Sequence, residues 1–482
     1  MHFENEISSN FNTLQLKHVI YIFIIFILIA HSAISQNDTT IVFSYDDYFD
    51  IVKSNHPVAK LADLQLQKGE ATLLKSRGAF DPKIFTDASK KHFDDKQYYS
   101  LVNGGLKIPT WFGVELKGAY EQNQGYFLNA ENSTPSSGLM YAGISVPIGQ
   151  RLFIDERRAE LKQAKLYKES TKAEQELILN ELLYDAGKVY WDWFKAYHVM
   201  QVYQNTLKLA QQRFEAVKQG ALLGDKPTID TLEAGIQVQN RKLSLQEAQL
   251  DFANSSALLS IYLWAEGIIP LEIAEGTIPI PLESNGLPMD ERFYTQLDTL
   301  INSHPAIQQT RFKINQLEIE KRWKLEQLKP ELNLKYNAIA QPISGDPFAA
   351  FSPNNYTWGL EFSMPLFLRK ERGNLKLANI KIQEAQLNLT TKQASLTYKA
   401  KASLNEWQTT NDQKNMYVQT VRDYKSLLEG EQQMFNAGES SLFMVNSREM
   451  SYINAQIKLI ELYNKNRKAR LTTGYAFGIL NQ

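Results

Sequence analysis

The 482 residues include no cysteine. That absence removes disulfides, thiolate metal sites and thiol nucleophiles together. It also removes the lipid-bearing N-terminal cysteine that anchors some envelope proteins. Charge of one sign is missing too: 52 basic residues face 53 acidic ones, so there is no surplus to neutralise a nucleic-acid backbone. Proline (16) and glycine (24) are too sparse for a disordered chain. After the N-terminal region no stretch approaches 18 uninterrupted apolar residues, so strands must carry the mature chain into any membrane it enters. There is no phosphate-cradling glycine loop and no nucleophile elbow, and His56, His92, His198 and His304 are scattered. An ATP-driven pump and a catalytic centre are excluded on these grounds, and neither a cofactor nor a metal is expected.

What is present begins with an address. Lys17 and His18 precede the apolar run Val19 to Ala30, and the small residues Ser32, Ala33 and Ser35 follow. This is a secretory signal pattern over 1–35, with cleavage expected near Ser35–Gln36. Beyond it the chain is written twice. Asn55-His56-Pro57 returns as Ser303-His304-Pro305, and Pro82 and Pro330 each lie 25 positions beyond the preceding His-Pro proline. A strand-rich region in each copy closes on Ser145-Val146-Pro147-Ile148 or Ser363-Met364-Pro365-Leu366. Each copy reads as helix, strands, long helix, turn and return helix.

In the first repeat, 36–266, this places a helix over 45–78, strands over 82–148, a long helix over 156–219 and a return helix over 228–266. In the second, 293–482, it places a helix over 293–328, strands over 331–366, a long helix over 370–436 and a return helix over 441–478. The connector 267–292 holds Pro270, Pro279, Pro281 and Pro288, which excludes a continuous helix and leaves room for a short strand at Leu271–Ile273.

The long helices keep a 3-4 apolar spacing, as in Leu179, Leu183, Ala186, Tyr190 and Trp193. That spacing continues through Leu207, Ala210, Phe214 and Val217, and the return helix repeats it in Ile229, Leu232, Ile236, Leu243 and Leu250. A 3.5-residue repeat specifies a left-handed coiled coil. The first long helix would extend roughly 96 Å at 1.5 Å per residue, a length that serves only to span a distance. The strand regions alternate instead. Tyr356, Trp358, Leu360, Phe362, Met364 and Leu366 interleave with Thr357, Gly359, Glu361 and Ser363, the pattern of a membrane barrel strand. One chain has too few strands to close a wide barrel, and an open edge cannot sit in lipid.

The duplicated unit, its Ser-x-Pro signatures and the two inter-helix turns, Gly224–Ala234 and Phe435–Leu442, resemble the TolC-like outer-membrane efflux proteins over about 45–478. The resemblance implies a mixed, mainly α fold in which long coiled helices form a periplasmic α-barrel and short strands join a transmembrane β-barrel. It implies a homotrimer with four strands per protomer, in outer-membrane lipid and extending into the periplasm. That trimer would be a passive exit duct for efflux or secretion, docking an inner-membrane pump through a periplasmic adaptor protein. The turns with Gly224, Asp225, Pro227, Gly438 and Glu439 would be the docking tips.

Asp230 and Glu233, at i and i+3 on one helix face, would become acidic rings gating the channel. Family members carry aspartates there mostly in the second copy, which here has Met444 and Ser447; solvated helix charge is the competing account. Trp111, Tyr356 and Trp358 are candidates for aromatics at the membrane interface, against simple burial. Two departures stand out. The first strand region is longer, with room for an extra hairpin around Ile108–Gly113. The first tip also reads as lengthened, since Phe214 precedes Gly224 by 10 positions and Phe435 precedes Gly438 by 3. The alternative function is a soluble periplasmic coiled-coil scaffold.

Overall fold

The computed structural model describes residues 41–283, 291–342 and 351–481; the signal pattern and Pro288 lie outside them. In chain order, β1 (Ile41–Phe43) leads into α1 (Tyr45–Asn55) and α2 (Pro57–Arg77), and four strands follow: β2 (Lys83–Phe93), β3 (Lys96–Pro109), β4 (Glu115–Gln124) and β5 (Leu139–Pro147). The long α3 (Glu156–Leu222) and return helix α4 (Thr228–Ser260) come next. The first repeat ends in β6 (Trp264–Ala265), and the connector forms β7 (Ile269–Pro270) and β8 (Thr277–Pro279). Then come α5 (Arg292–Thr295), α6 (Leu297–Ser303), α7 (Pro305–Glu326), β9 (Glu331–Ala340), β10 (Tyr356–Ser363), α8 (Arg369–Asn436) and α9 (Leu442–Phe477).

Several expectations need correcting. Each opening helix is broken at His-Pro, because a residue before proline is pushed out of the α region. His56 is accordingly extended, with ψ 136°, and caps the next helix. The return helix stops at Ser260 rather than 266, since Trp264–Ala265 pairs with Ile269–Pro270 in a small hairpin. Leu271–Ile273 is no strand; the connector pairs instead through Thr277–Pro279, parallel to Ile41–Phe43. The first tip is not lengthened either: both turns leave five residues between helices, 223–227 and 437–441.

The strand count also departs from the four that the resemblance implies. Among the described residues, six strands form one antiparallel sheet in the order β10-β9-β5-β4-β3-β2. The first repeat gives four strands, joined by the tight turn at Asp94–Asp95, whose φ values of 52° and 53° suit a two-residue hairpin, and by the turn around Trp111. The sheet ends at β2 on one side and β10 on the other.

The helices form a single curved layer. Toward their tips α4 packs on α3, α3 on α9 and α9 on α8; toward the sheet the order is α2, α3, α7, α8. Midway along α3 lies the main core, where Tyr190, Trp193 and Phe194 are buried with Tyr48, Leu183 and Leu259. Tyr190 donates to the Phe43 carbonyl at 2.8 Å and Trp193 Nε1 donates to Ser256 Oγ at 3.0 Å. The N-terminal strand and the connector therefore pack against the middle of α3. Trp191, Trp193 and Phe194 are packing residues there.

Candidate functional site

The sheet is inside out relative to a soluble one. Cross-strand register lines up Ile84, Leu106, Gly118, Ala142, Ala338 and Tyr356 in one row. The neighbouring row runs Ile108, Leu116, Ile144, Tyr336 and Trp358, and Val146, Leu334 and Leu360 form the next. This apolar face is the open one: Ile84 is 86% exposed and Trp358 66%. Along β4 the apolar positions are exposed while Glu115, Lys117 and Ala119 between them are half-covered. The polar side is thus the concave side. A continuous exposed apolar face this large has no place in water, and period-2 apolar-out, polar-in alternation is the pattern that lipid selects.

Trp111 and Tyr356 sit at opposite ends of this sheet. Trp111 lies in the β3–β4 turn beside the start of α3, packed edge-on against Phe112, whose carbonyl accepts from Arg158. Tyr356 lies at the distal end of β10 and stacks on Tyr336, and Trp358 is one pleat further in. These three aromatics occupy different levels.

The far ends of the helices carry the two turns, and they are built alike. Gly224 and Gly438 are left-handed, with φ of +82° and +81°, and stand clear of other atoms. Asp225 N–H bonds back to the Gly220 carbonyl at 2.8 Å and Glu439 N–H to Met434 at 2.9 Å, the wide hydrogen bond of a glycine-terminated helix. The turns lie side by side: Val217, Ala234 and Leu442 are buried together with Phe214 and Phe435 against them, and Lys226 Nζ sits 4.2 Å from the Phe435 ring. Asp225, Pro227, Gly438 and Glu439 are exposed.

Asp230 and Glu233 share a helix face but not a role. Glu233 Oε1 accepts from Asn446 Nδ2 at 2.8 Å, which ties α4 to α9, while Asp230 is half-covered one turn nearer the tip. Glu233 borders a buried charge cluster that the sequence reading missed. Glu449, 2% exposed, accepts from both terminal nitrogens of Arg213 at 2.8 and 3.1 Å. Arg241, also 2% exposed, lies 3.9 Å from the same carboxylate. The cluster joins α3, α4 and α9. Its signal in the sequence is a lone acid at Glu449 on the stripe Leu442, Val445 and Ile453.

The repeated histidines are helix caps. His56 Nδ1 accepts from Val58 N–H at 3.2 Å and His304 Nδ1 from Ala306 N–H at 3.1 Å. Accepting requires the unprotonated nitrogen. Burial pushes the His304 imidazole down to about 4 and lowers His56 as well.

A sheet with an exposed apolar face thus runs directly into helices of about 100 Å. Residues 297–472, within the second repeat, match the family model of the outer membrane efflux protein. No curated protein sequence matches the chain. Solved structures share its fold at low identity. The Neisseria gonorrhoeae MtrE outer membrane channel in its open state is 15% identical, with a TM-score of 0.64 over 89% of this chain and 88% of that one. The Campylobacter jejuni CmeC outer membrane channel is 15% identical, with a TM-score of 0.62 over 90% and 85%. The Vibrio cholerae outer membrane protein VceC is 13% identical, with a TM-score of 0.61 over 90% and 95%. The match to the family model is confined to the second repeat, and the whole chain shares the fold of these channels.

Proposed function

We propose that three copies of this chain form an outer-membrane duct, a passive exit for an efflux or secretion system whose energy comes from an inner-membrane pump. One observation carries the reading: both layers of the chain are open arcs whose edges are finished for another copy. At the tip end the edge helices α4 and α8 expose apolar stripes. Ile229, Leu232, Ile236, Leu243 and Leu250 line one, and Met416, Leu427 and Met434 mark the other. Ile229 is 71% exposed, Leu232 66% and Leu243 57%. These are the heptad positions of a coiled coil whose partner helix is outside the chain. Among the described residues, β2 and β10 end the sheet with unpaired ladders, which lipid does not tolerate.

The two edges match. β2 and β10 run in opposite directions, because the sheet is antiparallel with an even number of strands, so β2 of one copy meets β10 of the next in antiparallel register. Three six-stranded sheets would make an eighteen-stranded barrel, in the size range that leaves an aqueous channel. A soluble scaffold would have to leave the apolar face of the sheet in water.

The paired turns are the surface we assign to the periplasmic adaptor, with Gly224, Asp225, Pro227, Gly438 and Glu439 at the contact. Asp230 and Glu233 are assigned to the gate just above. The test is extraction and reconstitution of the full chain. A detergent-dependent, heat-modifiable trimer that conducts in planar bilayers is expected; a freely soluble monomer with no affinity for lipid would overturn the reading.

A further inference from the structure

The concave face of the sheet holds an arrangement that strand pairing does not favour. Lys83 of β2 is directly opposite Lys107 of β3, and Lys107 is directly opposite Lys117 of β4. Side chains so placed stand about 5 Å apart at Cβ, and like charges there destabilise a sheet. None of the three makes an ion pair among the described residues, although Lys335 and Glu361 pair at 2.7 Å on the same face. Rings hold two of them instead. Lys117 Nζ lies 4.7 Å from the Phe85 centroid and 4.9 Å from that of Tyr141, and Lys107 Nζ lies 5.3 Å from Phe85.

The space for this is cut by small residues. Phe85, Gly105, Ala119 and Tyr141 form the adjacent row, and a Cβ on Gly105 would meet Ala119 at 2.3 Å. Tyr141 is itself steadied by its hydroxyl donating to Asn103 Oδ1 at 3.2 Å. The ammonium groups are therefore presented over a shallow aromatic-walled dent. Acids on this face stand in other rows: Asp87 and Glu121 are four residues along their strands, about 13 Å away, beyond a Debye length at physiological salt. Glu115 is nearer, about 7 Å along β4, and its register partners are Pro109 and Ser145.

We propose that Lys83, Lys107 and Lys117 form an anion-binding belt on the luminal wall of the barrel, taking multiply charged anions as they leave. The inference rests on the duct reading, since three copies turn the row of three into a ring of nine. Rings of lysine are how pores favour anions over cations, and lysine, a point charge on a flexible stem, recognises charge rather than planar geometry. Pyrophosphate and citrate should therefore be held alike.

The experiment is single-channel recording on the full-length trimer, with pyrophosphate or citrate added to the barrel side. Both should block the current, and from the barrel side at lower concentration than from the helix side. The triple variant Lys83→Gln, Lys107→Gln, Lys117→Gln should raise the half-blocking concentration about tenfold or more, as expected for removing the charges facing a multiply charged anion. The Lys→Arg triple variant should keep the block, which separates charge from fold. An unaltered block in the glutamine trimer, or no block of the native channel, would overturn the belt and leave the duct standing. A folded trimer that never conducts would overturn the duct itself.

Discussion

Replacing Leu232 and Leu243 with glutamate on α4 should dissolve the assembly without unfolding the chain. Both side chains lie on the outward stripe, and both are more than half exposed. A fully buried leucine contributes about 1.5–3 kcal/mol, so covering the remaining 66% and 57% would supply about 1–2 kcal/mol at each position. Two positions give about 2–4 kcal/mol at each interface, and a trimer has three such interfaces. Glutamates there would also have to lose water without a partner, which adds several kcal/mol per ion. Inside the protomer the same positions touch little, because the inward stripe of α4 is a different one, Ala234, Arg241, Ala248 and Leu259. Native mass spectrometry in detergent should show monomers, while circular dichroism keeps its helical signal. A double variant that stays trimeric would refute the assignment of this stripe to the subunit interface.

Three further outcomes follow from individual sites. Glu449→Gln leaves Arg213 and Arg241 buried beside a neutral group, and breaking a buried pair in this way costs about 3–5 kcal/mol; a melting temperature unchanged from the native trimer would show the cluster contributes nothing. His304 is neutral when folded, so the unfolded chain takes up a proton between its ordinary pKa near 6.5 and about 4. Stability from this cap is complete above about pH 6.5 and falls as pH drops toward 4, by about 3 kcal/mol in all. His304→Asn keeps a capping side chain without the titration and should flatten that slope in denaturant melts. Asp230→Asn with Glu233→Gln should weaken cation preference at the tip; reversal potentials identical to the native channel would remove these acids from the gate.

The duplication makes most of this architecture legible, because each copy carries an opening helix, strands, a long helix and a return helix, and the copies check each other. The long helices were visible as sustained 3-4 apolar spacing, and the strands as alternation. What single-strand patterns cannot show is register. Lys83, Lys107 and Lys117 are ordinary polar positions in three separate strands, and only the pairing makes them a row. Similarly, Ile229, Leu232, Ile236, Leu243 and Leu250 read as a core-facing stripe, but periodicity does not say whose core; here the inward face of α4 carries mainly alanines and an arginine. The two tips are equal in length for a related reason. Phe214 and Phe435 occupy different turns of their helices, whereas the glycines share one hydrogen-bond pattern.

The six strands also resolve a geometric question that four would leave open. Strands 4.8 Å apart and tilted by about 40° each occupy about 6.3 Å of a barrel's circumference, so six occupy about 38 Å. Four packed helices at 8–10 Å spacing occupy about 32–40 Å of a tunnel wall. The two arcs in one protomer therefore have nearly the same width, and three copies would join barrel to tunnel with little change of diameter. Four strands would occupy only about 25 Å and would narrow the duct by about a third where it enters the membrane. In the proposed trimer the additional pair in the first repeat would have a mechanical consequence: solute arriving through the helices would meet no step at the barrel. Discrimination in that part of the duct then falls to the side chains on the concave face rather than to the width of the opening.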